Sequence, residues 1–157
     1  MSVGVSELRD DQVHRPARIG IDGRRLGLRL KGIGRYIGEL CKGLDQGLPA
    51  AEFFLYTPTP PGLAAIFDRW SIRVDDSRQG RPPNNLWLVA RAGQLSRRDL
   101  DVFWGGTGLL PLVGLNTRTV LTVHDVIHKV APGTMDFRAL WATRLFFASS
   151  LAKADAI

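Results

Sequence analysis

Three short segments of this chain hold side chains suited to chemistry. In the first, His124-Asp125 closes the run Thr119-Val120-Leu121-Thr122-Val123 and sets an imidazole beside a carboxylate. An imidazole can donate, accept or move a proton near neutral pH, and a neighbouring acid can hold its tautomer or the turn it stands on. In the second, Gly32-Ile33-Gly34-Arg35-Tyr36 puts two glycines and a cation at the start of an amphipathic run. Glycine lets backbone approach a ligand closely, and the unpaired amides at a helix amino end attract anions such as phosphate. In the third, Gly105-Gly106-Thr107-Gly108 is a flexible turn carrying one hydroxyl, suited to lining an acceptor pocket. Each has a plainer alternative. His124 could satisfy a backbone carbonyl, Gly32 and Gly34 could make a tight start to a helix, and glycine ends strands for no chemical reason.

Several chemistries fit poorly. A nicotinamide fingerprint needs G-x-G-x-x-G directly after a strand and an acid about 20 residues further on. Here Gly32, Gly34 and Gly38 begin ten residues after Asp22, and the following strand ends at Tyr56-Thr57 without an acid. No G-x-x-x-x-G-K-[ST] segment occurs, which removes the P-loop. His124 and His128 have the i, i+4 spacing of a metal pair on a helix, but the Val-rich sequence around them does not read as helical and no Glu follows the first His, so no metal is expected. Cys41 is the only cysteine and falls among apolar helical positions, as a small buried hydrophobe would.

These segments need elements to position them. Arg18-Ile19-Gly20-Ile21-Asp22 and Phe53-Phe54-Leu55-Tyr56 read as buried strands. Between them Ile33, Ile37, Leu40, Cys41, Leu44 and Leu48 recur on one helical face, with Arg35, Glu39, Lys42 and Asp45 opposite. Strand, helix and strand in that order make a right-handed parallel unit. Trp70 to Val74 reads as a third strand, Asp75 to Pro83 as a loop, and Asn84 or Asn85 as the cap of a helix through Leu86, Val89, Ala90 and Gly93 towards Leu95. Asp101 to Trp104 and Thr119 to Val123 are the fourth and fifth strands. A last helix is expected from about Asp136 to Lys153, with its stripe on Phe137, Leu140, Trp141, Leu145, Ala148 and Ala152, leaving Phe146 and Phe147 off the stripe as exposed apolar surface prone to self-association. Ala154 to Ile157 then reads as the approach to a further strand. The fold class is therefore α/β, a Rossmann-like, doubly wound and mainly parallel sheet with helices on both faces. In such sheets ligands bind beyond the carboxyl ends of the strands, where all three segments fall.

At 157 residues, 45% of them hydrophobic, the chain holds one domain: a polar leader at 1–17, then 18–157. Neither a signal core nor a membrane-spanning run is present in the sequence, and a cytoplasmic location is expected. The net charge of +6 suits anionic partners. The arginines are scattered without basic blocks or interleaved aromatics, so nucleic acid is not expected. Arg97 and Arg98 suggest contact with an anionic membrane surface, at the inner face of a membrane, although a solvated face explains them equally.

Taken together, Ile19-Gly20-Ile21-Asp22, Gly32-Ile33-Gly34-Arg35-Tyr36, Asp101-Val102-Phe103 before a glycine turn, and Thr122-Val123-His124-Asp125 before a helix ending Ala152-Lys153-Ala154-Asp155-Ala156-Ile157 resemble a known family. The chain is similar, from about Arg18 to Ile157, to the amino-terminal domain of retaining glycosyltransferases of the GT-B class, the group 1 or family 4 enzymes. The resemblance implies metal-independent transfer of a sugar, mannosyl- or glucosyl-like, from a nucleotide-sugar to a sugar, glycan or lipid-linked acceptor. It implies that Gly32 and Gly34 lie near the donor diphosphate with Arg35 in support, that His124 lies near the transferred sugar with Asp125, and that Gly106 and Thr107 line the acceptor side. It also implies a carboxy-terminal domain that holds most of the donor, so this chain alone is expected to be inactive. A nucleotide- or phosphate-binding module without catalysis is the alternative.

Overall fold

The structure, a computed structural model, describes residues 15–26, 32–61, 68–75, 84–92, 100–131, 133 and 137–157. The expectations for most of the leader, for the loop after Asp75, for the helix end at Gly93 to Leu95, and for Arg97 and Arg98 lie outside the described residues.

Five parallel strands form one sheet: β1 (Arg18–Asp22), β2 (Glu52–Thr57), β3 (Ser71–Val74), β4 (Val102–Gly105) and β5 (Arg118–Leu121), in the order β3-β2-β1-β4-β5. The helices are α1 (Ile33–Gly47), α2 (Asn84–Trp87) running into a π-helical turn at Leu88–Ala92, α3 (Ile127–Val130) and α4 (Phe137–Lys153). Strands covered on both faces have no polar side to show, which is why β2 reads as an unbroken apolar run. Phe53 and Leu55 pack on one face with Ile19, Ile21, Ile37 and Cys41; Phe54 and Tyr56 pack on the other with Trp87, Phe103 and Phe147. Helices thus cover both faces of a Rossmann-like α/β sheet.

The α1 stripe turns Ile37 and Cys41 fully inward, and burial pushes the Cys41 thiol up to about 12. Leu40 and Leu48, on the expected stripe, remain exposed at its margin. The carboxyl end of α1 is held by Arg69, whose guanidinium donates to the Asp45 and Leu48 carbonyls and pairs with the Asp45 carboxylate at 2.6 Å. Cations are favoured there by the helix dipole.

Three elements depart from the sequence expectation. Strand β5 stops at Leu121; beyond it the Thr122 amide donates to the Gly105 carbonyl at 3.1 Å and the Thr122 hydroxyl accepts from Trp104 Nε1 at 2.9 Å. Ile127–Val130 forms a helical turn, with the Lys129 and Val130 amides donating to the Val126 carbonyl. His128 is on that turn and His124 precedes it, so the pair does not share a helix. Helix α4 is rotated relative to its expected stripe. Trp141, Leu145, Ala148 and Ala152 face outward, whereas Phe147 and Ser150 are buried and Phe146 and Leu151 pack against the core. Phe146 and Phe147 are therefore not the exposed apolar surface. Beyond α4, Ala156 bridges Val120 in parallel: its carbonyl accepts from the Leu121 amide at 2.9 Å, and the Asp155 and Ala156 amides donate to the Thr119 carbonyl at 3.1 Å.

Candidate functional site

The strand order reverses between β1 and β4, so their carboxyl ends open a crevice rather than a continuous edge. Asp22 ends β1 with its side chain wholly buried, and the side chain of Arg24, two residues on, is 3% exposed and pairs with it at 2.8 Å. A buried carboxylate is tolerated only when paired and hydrogen-bonded. Arg24 Nε also donates to Asp22 Oδ1 at 2.9 Å, and the Arg24 backbone amide does so at 3.2 Å. From the turn after β4, Thr107 donates its hydroxyl to Asp22 Oδ2 at 2.6 Å and accepts from Arg24 Nη2. Arg24 Nη1 then reaches Asn85 Oδ1 of α2 at 2.9 Å. Four side chains from three parts of the sequence thus form one connected polar network.

Beside this network lies a cleft of about 180 Å³, lined by Arg24, Arg25, Thr107, His124 and Asp125 among others, with Ile33, Thr143 and Phe147 contributing apolar or weakly polar wall. His124 Nε2 lies 2.8 Å from the Gly106 carbonyl. A carbonyl only accepts, so the proton sits on Nε2 and the lone pair of the neutral ring sits on Nδ1. Tyr36 of α1 meets the imidazole edge to face at 5.0 Å between centroids. Together these contacts orient the ring between α1 and the β4 turn.

The sequence candidates divide as follows. Thr107, His124 and Asp125 share the cleft, and Gly106 holds the imidazole through its carbonyl. Gly32 and Gly34 flank Ile33, the α1 residue on the cleft wall, but they act differently. Gly32 adopts φ 48°, a left-handed conformation, with open space where a side chain would project. Gly34 is buried, and a Cβ there would lie 2.5 Å from the Arg25 carbonyl oxygen, so this glycine permits close packing of α1 on the loop after β1. The first turn of α1 has neither a side-chain cap nor an acid. Arg35 is exposed and near Glu39, one turn further along α1, rather than on the cleft wall.

Asp22, Arg24 and Asn85 are not among the site residues read from the sequence, where Asn85 stands only as a candidate helix cap. The available signal was an acid at the end of an apolar strand with an arginine two residues later, since such an acid must be paired if buried. Among the described residues, no three His, Cys, Asp or Glu side chains group as a metal site would require. Nor is any helix among them long and apolar enough to cross a membrane. No protein-family model matches this chain, and neither a curated protein nor a solved structure matches it.

Proposed function

We propose that this domain forms the acceptor-side wall of a sugar-transfer site in a retaining GT-B glycosyltransferase, with a nucleotide-sugar as donor and a second α/β domain holding most of that donor. The observation supporting this reading is the convergence of Thr107, His124 and the start of α1 on one cleft at the β1–β4 switch point. Each part has a role in that chemistry. The uncapped first turn of α1 offers amides to a diphosphate, and Arg25 on the same wall adds a cation, the two features that stabilise charge on a leaving phosphate. His124, with its Nε2 proton committed to Gly106, presents Nδ1 as an acceptor for a sugar hydroxyl. The Asp22–Arg24–Thr107 network keeps the cleft floor rigid, which transfer requires because reacting groups must be held within a few tenths of an ångström.

The test is amide chemical-shift perturbation of the chain by uridine and guanosine diphosphates. Support would be shifts clustered at Ile33, Gly34, Thr107 and His124. An absence of shifts at millimolar ligand, or shifts confined to another face, would sink the reading. The chain alone is expected to turn over no nucleotide-sugar, since the opposite wall and the exclusion of water depend on the second domain.

A further inference from the structure

Asn85 lines the same cleft as Thr107 and His124, yet its side chain is exposed and the transfer reading gives it no role. An exposed side chain is ordinarily mobile, but the element carrying this one is firmly held. Trp87 and Leu88, two and three residues on, are fully buried, and Trp87 Nε1 donates to Asp75 Oδ2 at 2.8 Å. In the π-helical turn that follows, the Val89 carbonyl accepts from the Leu112 and Val113 amides at 3.0 and 3.2 Å, tying α2 to the segment after β4. π-Helical turns recur at functional sites, and a side chain that reads a ligand needs a fixed support of this kind.

The orientation of the Asn85 amide is set by chemistry. Arg24 Nη1 lies 2.9 Å from it, and a guanidinium only donates, so the amide oxygen faces Arg24 and the NH2 is the end left to the cleft. The charge of Arg24 is balanced by buried Asp22 at 2.8 Å, which makes Arg24 a positioning residue here rather than a ligand for an anion. We infer that Asn85 is a specificity-determining residue of the cleft, whose Nδ2 donates to a hydroxyl oxygen of a neutral sugar while another hydroxyl of that sugar donates to His124 Nδ1. A donor and an acceptor held on one cleft match hydroxyl groups, each of which can donate and accept. An ionised phosphate offers acceptors alone and leaves the His124 nitrogen unmatched. The inference rests on the transfer reading of this cleft and adds the residue that selects the acceptor.

The test titrates the ¹⁵N-labelled chain with methyl α-D-mannopyranoside and methyl α-D-glucopyranoside, and in a separate arm with uridine diphosphate. At least one glycoside is expected to shift the Asn85 side-chain NH2 pair together with the His124 ring. Asn85→Asp keeps the oxygen that Arg24 holds and exchanges the NH2 for an acceptor. It should leave the urea midpoint no lower than the parent's while weakening glycoside binding by about tenfold; because the glycosides are uncharged, the loss cannot come from the added charge at long range. Equal glycoside affinity in the two proteins would overturn the inference and leave Asn85 as a partner of Arg24 alone. Diphosphate shifts at Ile33 and Gly34 with no glycoside shift at Asn85 would overturn it too, with the transfer reading still standing. Silence with every probe would sink both. Glycoside shifts without diphosphate shifts would remove the donor part of that reading and keep Asn85 as a sugar contact.

Discussion

Thr107 Oγ1 donates to Asp22 Oδ2 across 2.6 Å, joining the turn after β4 to the end of β1 over 85 residues of sequence. Because Arg24 pairs with the same carboxylate oxygen at 2.8 Å, the hydroxyl, the carboxylate and the guanidinium form a closed ring at the cleft floor. Removing one corner is not equivalent to removing another. Asp22→Ala strands a cation that is only 3% exposed, and should destabilise by about 3–5 kcal/mol. Thr107→Val keeps the ion pair and should cost about 1–3 kcal/mol. Urea denaturation of both variants checks the ranking; an equal cost would mean that the ion pair is not the stronger tie.

Glycines within α1 should respond with opposite signs. At Gly43 an added Cβ meets nothing within 4 Å, so Gly43→Ala should stabilise by about 0.5–1 kcal/mol through helix propensity. At Gly34 the added Cβ would lie 2.5 Å from the Arg25 carbonyl oxygen, which is backbone and cannot swing away. Gly34→Ala should therefore destabilise by about 1–3 kcal/mol despite the better propensity of alanine. Thermal melts of the two variants, run together, decide it.

His124 should be an Nε2–H tautomer in its neutral form, because Nε2 faces the Gly106 carbonyl at 2.8 Å. Long-range ¹⁵N correlation spectra distinguish the two ring nitrogens directly. Finding the proton on Nδ1 would break the orientation on which the proposed acceptor role rests.

Acid stability should carry a contribution from Asp101. The Arg18 backbone amide, 2.8 Å from Oδ2, and then the Arg15 guanidinium hold this carboxyl below its ordinary value. A carboxyl lowered on folding adds stability that is complete above its unfolded value, near pH 4, and is lost as pH falls through the lower folded value. Asp101→Asn should thus be less stable than the parent at neutral pH, by about 1 kcal/mol or less given its exposure, and the gap should close in acid. A gap that stayed constant from pH 6 to about pH 2 would contradict this.

Much of the framework was legible from local pattern. The period-two run at Ile19 and Ile21, the continuous run Phe53 to Tyr56 and the α1 stripe each depend on neighbours within one element, and each folds where expected. Helix α4 shows where that reasoning stops. Trp141, Leu145 and Ala148 make one apolar face while Phe146, Phe147 and Leu151 make another, and periodicity cannot say which of two such faces is buried. His124 was legible as a residue at a strand end, but its partner was not, because Gly106 lies 18 residues away and offers only backbone.

What the amino-acid sequence determined by itself was the alternation of strand and helix and the apolar content of each strand, since both are properties of short segments. What only the tertiary structure decided was adjacency. The order β3-β2-β1-β4-β5 brings β1 beside β4, which creates the Asp22–Arg24–Thr107 ring, and β4 beside β5, which aims His124 at Gly106; the packing of α4 on the sheet turns Phe147 rather than Trp141 into the core. A buried carboxylate needs a cation and a hydroxyl within about 3 Å, and no spacing along the chain specifies which distant turn will supply the hydroxyl.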